Sequence, residues 1–265
     1  MNRTPVVFIH GVWLHALSWE PWAERFADRG FLAFTPGWPG EAAAARDLRE
    51  KPGSWGDIGL DALMEHYADI VRSFDRAPVI IGHSVGGLIA QHLIGVNIGR
   101  AAVAIAPAPV NDILMHDATP GLRMPDQGGV DPLVSLSPEQ FREVLANTVD
   151  AAEAACLFER YVVPAPRRLL TDLGCAGAVR SPHAVADVGN TGRGPLLLIS
   201  GQEDLLVPDS VTRAAYKAYG DSTATTDLKQ FADRAHSLVV DDGWRLVADY
   251  VLGWLDEQGI RAHEG

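Results

Sequence analysis

The stretch Pro78-Val79-Ile80-Ile81-Gly82-His83-Ser84-Val85-Gly86-Gly87-Leu88 decides how this chain is read. Its apolar start, with three β-branched residues in a row, suits a buried strand, and from Gly86 onward the spacing becomes helical. Between strand and helix sits Gly82-x-Ser84-x-Gly86, a serine on a sharp turn. Glycine is needed on both sides because a side chain there would collide across the turn, which strains the serine backbone and lifts its hydroxyl out of the sheet. The helix that starts at about Val85 aims its N-terminus at the same point, so its N–H groups favour negative charge developing there. Gly-x-Ser-x-Gly alone is a weak signal; joined to strand and helix it reads as a nucleophile.

Outward from this turn, short apolar runs that suit buried strands recur at 6–9, 31–35, 78–82, 101–106, 195–200 and 225–231. Helical periodicity fills most of the gaps, at 18–29, 57–76, 86–97, 209–219 and 242–257. Alternation of this kind predicts an α/β fold: a mainly parallel, doubly wound sheet of about six strands, because each parallel pair needs a crossover helix that packs back onto the sheet. The interval 110–193 breaks the rhythm with many Pro and Gly residues and two helical stretches, 138–147 and 151–161. No structureless loop of that length fits inside a compact domain, so it is expected to be an inserted helical cap. The predicted organisation is a core of residues 1–109 and 194–265 with a cap of 110–193. Pro and Gly around 110–125 and 181–194 suggest hinges, Gly189-Asn190-Thr191-Gly192-Arg193-Gly194 lacks the spacing of a phosphate loop, and 41–56 reads as a plain surface loop.

A serine needs a base, and the base needs an acid to hold its tautomer. After the 195–200 run comes Gly201-Gln202-Glu203-Asp204, which puts a carboxylate at the end of a strand; Asp204 is preferred over its neighbour Glu203. After the last strand comes Asp233-Arg234-Ala235-His236-Ser237, and His236 alone of the nine histidines lies in such a loop. Asp233, Asp241 and Asp242 flank it as other carboxylates within reach. The order Ser84, Asp204, His236 is the one in which a sheet with this turn delivers its three residues. Near the N-terminus, Val6-Val7-Phe8-Ile9-His10-Gly11-Val12-Trp13 is a strand that ends in His-Gly. Backbone N–H groups of Val12 and Val85 would form an oxyanion hole, with Gly11 allowing close approach. Trp13 and His15 are candidates for the substrate pocket. His10 and His83 read as structural histidines. His10, His15, His83 and His92 lack metal-ligand spacing, so no metal is expected. Trp13, Trp19, Trp22 and Trp38 read as core packing under the first helix.

In its 265 residues, 47% are hydrophobic and 21% charged, which excludes a disordered or fibrous chain. Lys+Arg 22 against Asp+Glu 34 leaves a net charge of -12, so the basic footprint of a nucleic-acid binder is missing. No apolar run approaches a membrane span, and the default expectation is a cytoplasmic protein. Cys156 and Cys175 are too few for a disulfide framework and read as reduced and structural.

With His10-Gly11-Val12-Trp13, Gly82-His83-Ser84-Val85-Gly86-Gly87, Asp204 and His236 in place, the chain resembles the α/β-hydrolase superfamily over nearly its whole length. It is similar to the compact esterase, hydroxynitrile lyase and serine haloperoxidase-like branches, and Pro36-Gly37-Trp38-Pro39-Gly40 looks like the loop after that family's next strand. The resemblance implies roles for Ser84 as nucleophile, Asp204 as acid and His236 as base, and use of no cofactor. A serine at position 84 speaks against the dehalogenase and epoxide hydrolase branches, whose turn carries an aspartate. The chain starts close to the His-Gly strand, without sequence for the two antiparallel strands that usually come first, so six parallel strands are expected. The leading functional expectation is hydrolysis of a small-molecule carboxylic ester, lactone or thioester through an acyl-serine. Carbon-carbon or hydroxynitrile lyase and perhydrolase chemistry on the same scaffold are the alternatives.

Overall fold

The computed structural model describes residues 3–50, 55–113, 131–175 and 180–263. In chain order its strands are β1 (Pro5–Ile9), β2 (Leu32–Phe34), β3 (Val79–His83), β4 (Ala101–Ile105), β5 (Leu133–Val134), β6 (Ala165–Pro166), β7 (Leu196–Gly201) and β8 (Thr226–Phe231). Six of them form one parallel sheet in the order β2-β1-β3-β4-β7-β8, and these are the six runs expected from the sequence. The helices are α1 (Glu20–Asp28), α2 (Ala45–Glu50), α3 (Leu60–Arg72), α4 (Val85–Gly95), α5 (Pro138–Val144), α6 (Ala151–Tyr161), α7 (Arg167–Asp172), α8 (Asp209–Ala218) and α9 (Trp244–Glu257).

The chain steps one way along the sheet from β1 to β2 and the other way from β3 to β8. Right-handed crossovers therefore put α1 on one face and α3, α4 and α8 on the other; α9 returns to pack on α1, and α3 packs on α4. The direction reverses between β1 and β3, which opens a crevice at their C-terminal ends, the place where open α/β sheets bind ligands. Register sharpens this: Ile9 pairs with Gly82, so His10-Gly11 leave the sheet beside His83-Ser84.

Strands β1, β3, β4 and β7 are buried on both faces, as crossover helices require, while the edge strands β2 and β8 are largely half-exposed. Under α1, Phe8 meets Trp19 at 5.1 Å and Phe26 at 5.3 Å between ring centres, and Trp22 donates its indole N–H to Val239 O at 2.8 Å. Emptying such a site by Phe→Ala costs about 3–5 kcal/mol. Trp38 does not join this cluster; it stacks between His10 and Trp55, at 4.6 and 5.3 Å.

Two expectations need correction. The segment 41–56 is not a plain surface loop: it forms α2, buries Ala45, Leu48 and Trp55, and carries a buried Glu41. The 110–193 segment, expected to be mostly helical, carries α5, α6 and α7 and also pairs β5 with β6 antiparallel. Of the two unpaired cysteines only Cys175 is buried, its thiol pushed up to about 12 by that burial; Cys156 is exposed and so fills no core position. The suggested hinge at 110–125 lies mostly outside the described residues.

The insertion's α5 starts with a Ser137–Gln140 capping box and α6 with an Asp150 cap, which satisfy N–H groups that a helix start leaves open. Trp55 donates to Pro164 O at 2.9 Å, Arg49 to Val162 O at 2.8 Å, and the Leu60 N–H to Asp172 at 2.9 Å, so α2, the following turn and α3 clasp it. Among the described residues no helix is long and apolar enough to cross a membrane.

Candidate active site

Ser84 follows β3 and caps α4 with φ 56° and ψ -118°, a backbone conformation that L-residues rarely adopt. The surroundings hold it there: Ser84 N–H donates to Ile105 O at 3.0 Å, and Ser84 O accepts from Gly87, Leu88 and Ala108 at 2.9, 3.1 and 2.9 Å. A Cβ on Gly82 would overlap the Gly86 carbonyl, and one on Gly86 would overlap the Ile9 carbonyl of β1. Both glycines are thus demanded by close backbone approach. Gly11 is pressed against the same point, since a Cβ there would come within 2.7 Å of Ser84 Cβ.

Asp204 and His236 meet across the ends of β7 and β8. His236 Nδ1–H donates to Asp204 Oδ2 at 2.7 Å, and Asp204 Oδ1 accepts the Leu206 and Val207 N–H groups at 2.8 Å each. Both side chains are buried. With its Nδ1 proton committed to the carboxylate, His236 keeps Nε2 bare, the tautomer a general base needs. Glu203, by contrast, is exposed and only its backbone is engaged. Asp233 is exposed beside Arg234, and Asp241 faces Arg234, Ser237 and the Gly243 N–H, at 3.2, 3.1 and 3.0 Å. Burial pushes the Asp241 carboxyl up to about 6 despite those partners.

His83 ties the two halves together. Its Nε2–H donates to His236 O at 2.9 Å and its ring lies 4.5 Å from the His236 ring. Burial, and then the His236 ring, push it well below the ordinary histidine value, so it stays neutral. Its bare Nδ1 is buried on the Gly11 side without a partner among the described residues. Ser84 Oγ itself hydrogen-bonds no described residue, His236 included; such bonds often tighten only when substrate is bound.

Of the two N–H groups expected to bind an oxyanion, that of Val85 opens α4, where a helix leaves its first N–H groups free. The Val12 residue is buried, yet among the described residues its N–H finds no acceptor. Buried N–H groups are rarely left this way, and an oxygen delivered by substrate would satisfy it. Trp13 and His15 follow on this loop, both buried and with their ring N–H groups engaged inside the protein. Trp13, at φ 62°, donates to Val134 O at 3.0 Å and accepts the Val163 N–H at 3.0 Å, so the insertion holds its unfavourable backbone in place. His15 faces Ala42 O at 2.9 Å through Nε2 and accepts the Leu17 N–H at 3.1 Å through Nδ1.

The sequence model of the alpha/beta hydrolase family matches residues 6–250. The chain belongs to the α/β-hydrolase family. No curated protein sequence matches it, but its fold is similar to that of many solved structures. A methylesterase from Arabidopsis shares 16% identity at a TM-score of 0.66, covering 96% of this chain and 99% of that one. A monoacylglycerol lipase from Paleococcus ferrophilus shares 19% at 0.68, covering 96% and 94%. Tomato methylketone synthase shares 13% at 0.68, covering 97% and 100%. At these identities the likeness is one of fold.

Sequence reasoning missed one residue beside this site, Glu41, buried among His10, His15 and two backbone N–H groups. A signal was available: two histidines on the His-Gly loop with no carboxylate nearby in sequence, and an acid immediately after the Pro36–Gly40 loop. Among the described residues no set of three metal-ligating side chains is disposed to hold an ion.

Proposed function

We propose that the protein is a serine hydrolase that cleaves a small carboxylic ester, lactone or thioester through an acyl-Ser84 intermediate. The observation that carries this reading is the buried Asp204–His236 hydrogen bond of 2.7 Å, joined through His83 to a serine in the left-handed backbone conformation of a strand-to-helix turn. His236 Nε2 takes the Ser84 proton as Oγ attacks the substrate carbonyl carbon. The carbonyl oxygen becomes an oxyanion facing the Val12 and Val85 N–H groups, and one such donor contributes about 2.7–4 kcal/mol. As the tetrahedral intermediate collapses, the leaving oxygen or sulfur takes the proton from His236. A water, deprotonated by the same nitrogen, then attacks the acyl carbon and Ser84 recovers its proton. The reaction calls on no cofactor.

Residues 110–193 serve in this reading as the cap, on a core of 1–109 and 194–265. Esterase and lipase chemistry among proteins of like fold supports the same substrate class.

Hydrolysis of p-nitrophenyl acetate, butyrate and octanoate by wild type and Ser84→Ala near pH 8 tests the proposal. Turnover that vanishes in the variant supports it. Equal turnover by Ser84→Ala overturns it, because the ester would then be cleaved without an acyl-Ser84; a wild type inert toward all three esters would favour lyase chemistry, with His236 as a proton shuttle.

A further inference from the structure

His10 and His15 lie on one loop and share one carboxylate, yet their ring nitrogens meet different partners. His15 Nδ1 accepts an N–H, so its single proton sits on Nε2. His10 has an acceptor on each side: Gly11 O lies 3.0 Å from Nδ1 and Glu41 Oε2 lies 3.0 Å from Nε2. A carbonyl and a carboxylate both lack protons, and a neutral imidazole has only one N–H to give. The network therefore assigns His10 a proton on both nitrogens. The ring is fully buried and stacked on Trp38, an aromatic face that suits a cation.

Glu41 is built to supply the counter-charge. Its Oε2 accepts from His10 and from the Trp38 N–H at 2.7 Å, and its Oε1 accepts the Ala16 N–H at 2.9 Å with His15 Nε2 at 3.3 Å. Burial would push the carboxyl up, but the His10 charge, the His10 and Ala16 hydrogen bonds and the His15 ring outweigh it and bring it down to about 2. The other titratable groups facing the pair are Tyr67 of α3 and His83 of β3, which burial keeps neutral. No second negative charge competes among them.

The Gly11 carbonyl belongs to the same peptide unit as the Val12 N–H. In a planar trans peptide the two point in opposite directions. The Gly11 oxygen also accepts the Leu14 N–H, at a longer 3.4 Å; holding it on His10 as well fixes the N–H on the far side of the unit, while Gly11 Cα is pressed against Ser84. A charged donor on the oxygen also polarises the unit and strengthens the N–H as a donor.

We propose that Glu41 is a positioning residue for the oxyanion hole: it holds His10 doubly protonated, and His10 in turn locks and polarises the Gly11–Val12 peptide whose N–H meets the oxyanion. This rests on the serine-hydrolase reading. Glu41→Gln removes the charge and leaves the side-chain volume. Since losing an oxyanion donor outright lowers kcat about 100- to 1000-fold, weakening one is expected to lower it roughly 10- to 100-fold with KM little changed. A trifluoromethyl ketone, which becomes an oxyanion on Ser84, should bind the variant weaker by a similar factor.

The test combines three readouts. Labelling of wild type by a fluorophosphonate comes first, because no labelling of Ser84 would overturn the hydrolase reading itself. Given labelling, wild-type kcat and ketone affinity in Glu41→Gln would overturn only the role of Glu41. Nitrogen-15 NMR of the wild-type imidazoles needs no variant to fold. Two protonated nitrogens on His10 and one on His15 are expected, and a bare nitrogen on His10 would contradict the proposal.

Discussion

The two sides of the site are built in different ways. On the Ser84 side, the residue is held by β4, by α4 and by Ala108 just after β4, and Gly82 and Gly86 let main chains touch. On the His236 side, the loops after β7 and β8 lean on residues 131–166. Ser237 N–H donates to Leu145 O at 2.7 Å, and Asn147 donates to Glu203 O at 2.9 Å. The 11–15 loop does so too, through the Trp13 bonds and the His15 N–H to Tyr161 O at 2.9 Å. The geometry at Ser84 is therefore set by its own strand, by β4 and by α4, whereas that of the Asp204–His236 pair and of the 11–15 loop also depends on residues 131–166.

Four substitutions can break or sharpen this contrast. Asp204→Asn should keep its loop bonds to Leu206 and Val207 but present an N–H to His236 and impose the wrong tautomer. A fall in kcat of about 10⁴ with little change in Tm is expected, and kcat within tenfold of wild type would remove Asp204 from the mechanism. Gly82→Ala attacks the other side, where the new methyl meets backbone that cannot yield. It should destabilise by several kcal/mol, on the order of 3 or more, read as a shifted denaturant midpoint; an unshifted midpoint would mean the turn is less tight than described.

Asp241 probes the loop after β8 through pH. Its carboxyl is raised to about 6 from an ordinary value of 3.8, so folding favours its protonated form. Its contribution is fully present below the unfolded value and is lost as pH rises through about 6. Asp241→Asn cannot ionise, so its stability relative to wild type should improve between pH 4 and 7, by at most about 3 kcal/mol for a shift of this size. A difference in Tm that stays flat across that range would remove the charge from the account. The smallest effect belongs to Asn147→Ala, which cuts one link between insertion and acid loop. About 1 kcal/mol of stability and a few-fold fall in kcat are expected. If kcat were unchanged, the insertion would not be setting the acid loop.

The parts of the fold legible in the sequence are those set by local pattern. Six buried strands leave apolar runs, and a turn that admits no Cβ leaves Gly82 and Gly86 around Ser84. Of the two adjacent carboxylates after β7, the structure buries Asp204 on His236 and leaves Glu203 in solvent. What escaped was short or long-range. Helix α2 buries only Ala45 and Leu48, too few to trace a stripe, and β5 and β6 are two residues each. Glu41 is buried because His10, 31 residues upstream, needs an acceptor, a reason no local window contains. Trp38 went astray for the same cause: its partner is that histidine, not the aromatic cluster under α1.

The central claim is that Ser84 becomes acylated, and intact-protein mass spectrometry reads this most directly. Wild type mixed with p-nitrophenyl butyrate and quenched in acid within the first turnovers should gain the mass of one butyryl group, mapped to the peptide carrying Ser84, while Ser84→Ala gains none. Wild type that turns over ester with no adduct at any quench time, alongside an equally active Ser84→Ala, would contradict the account.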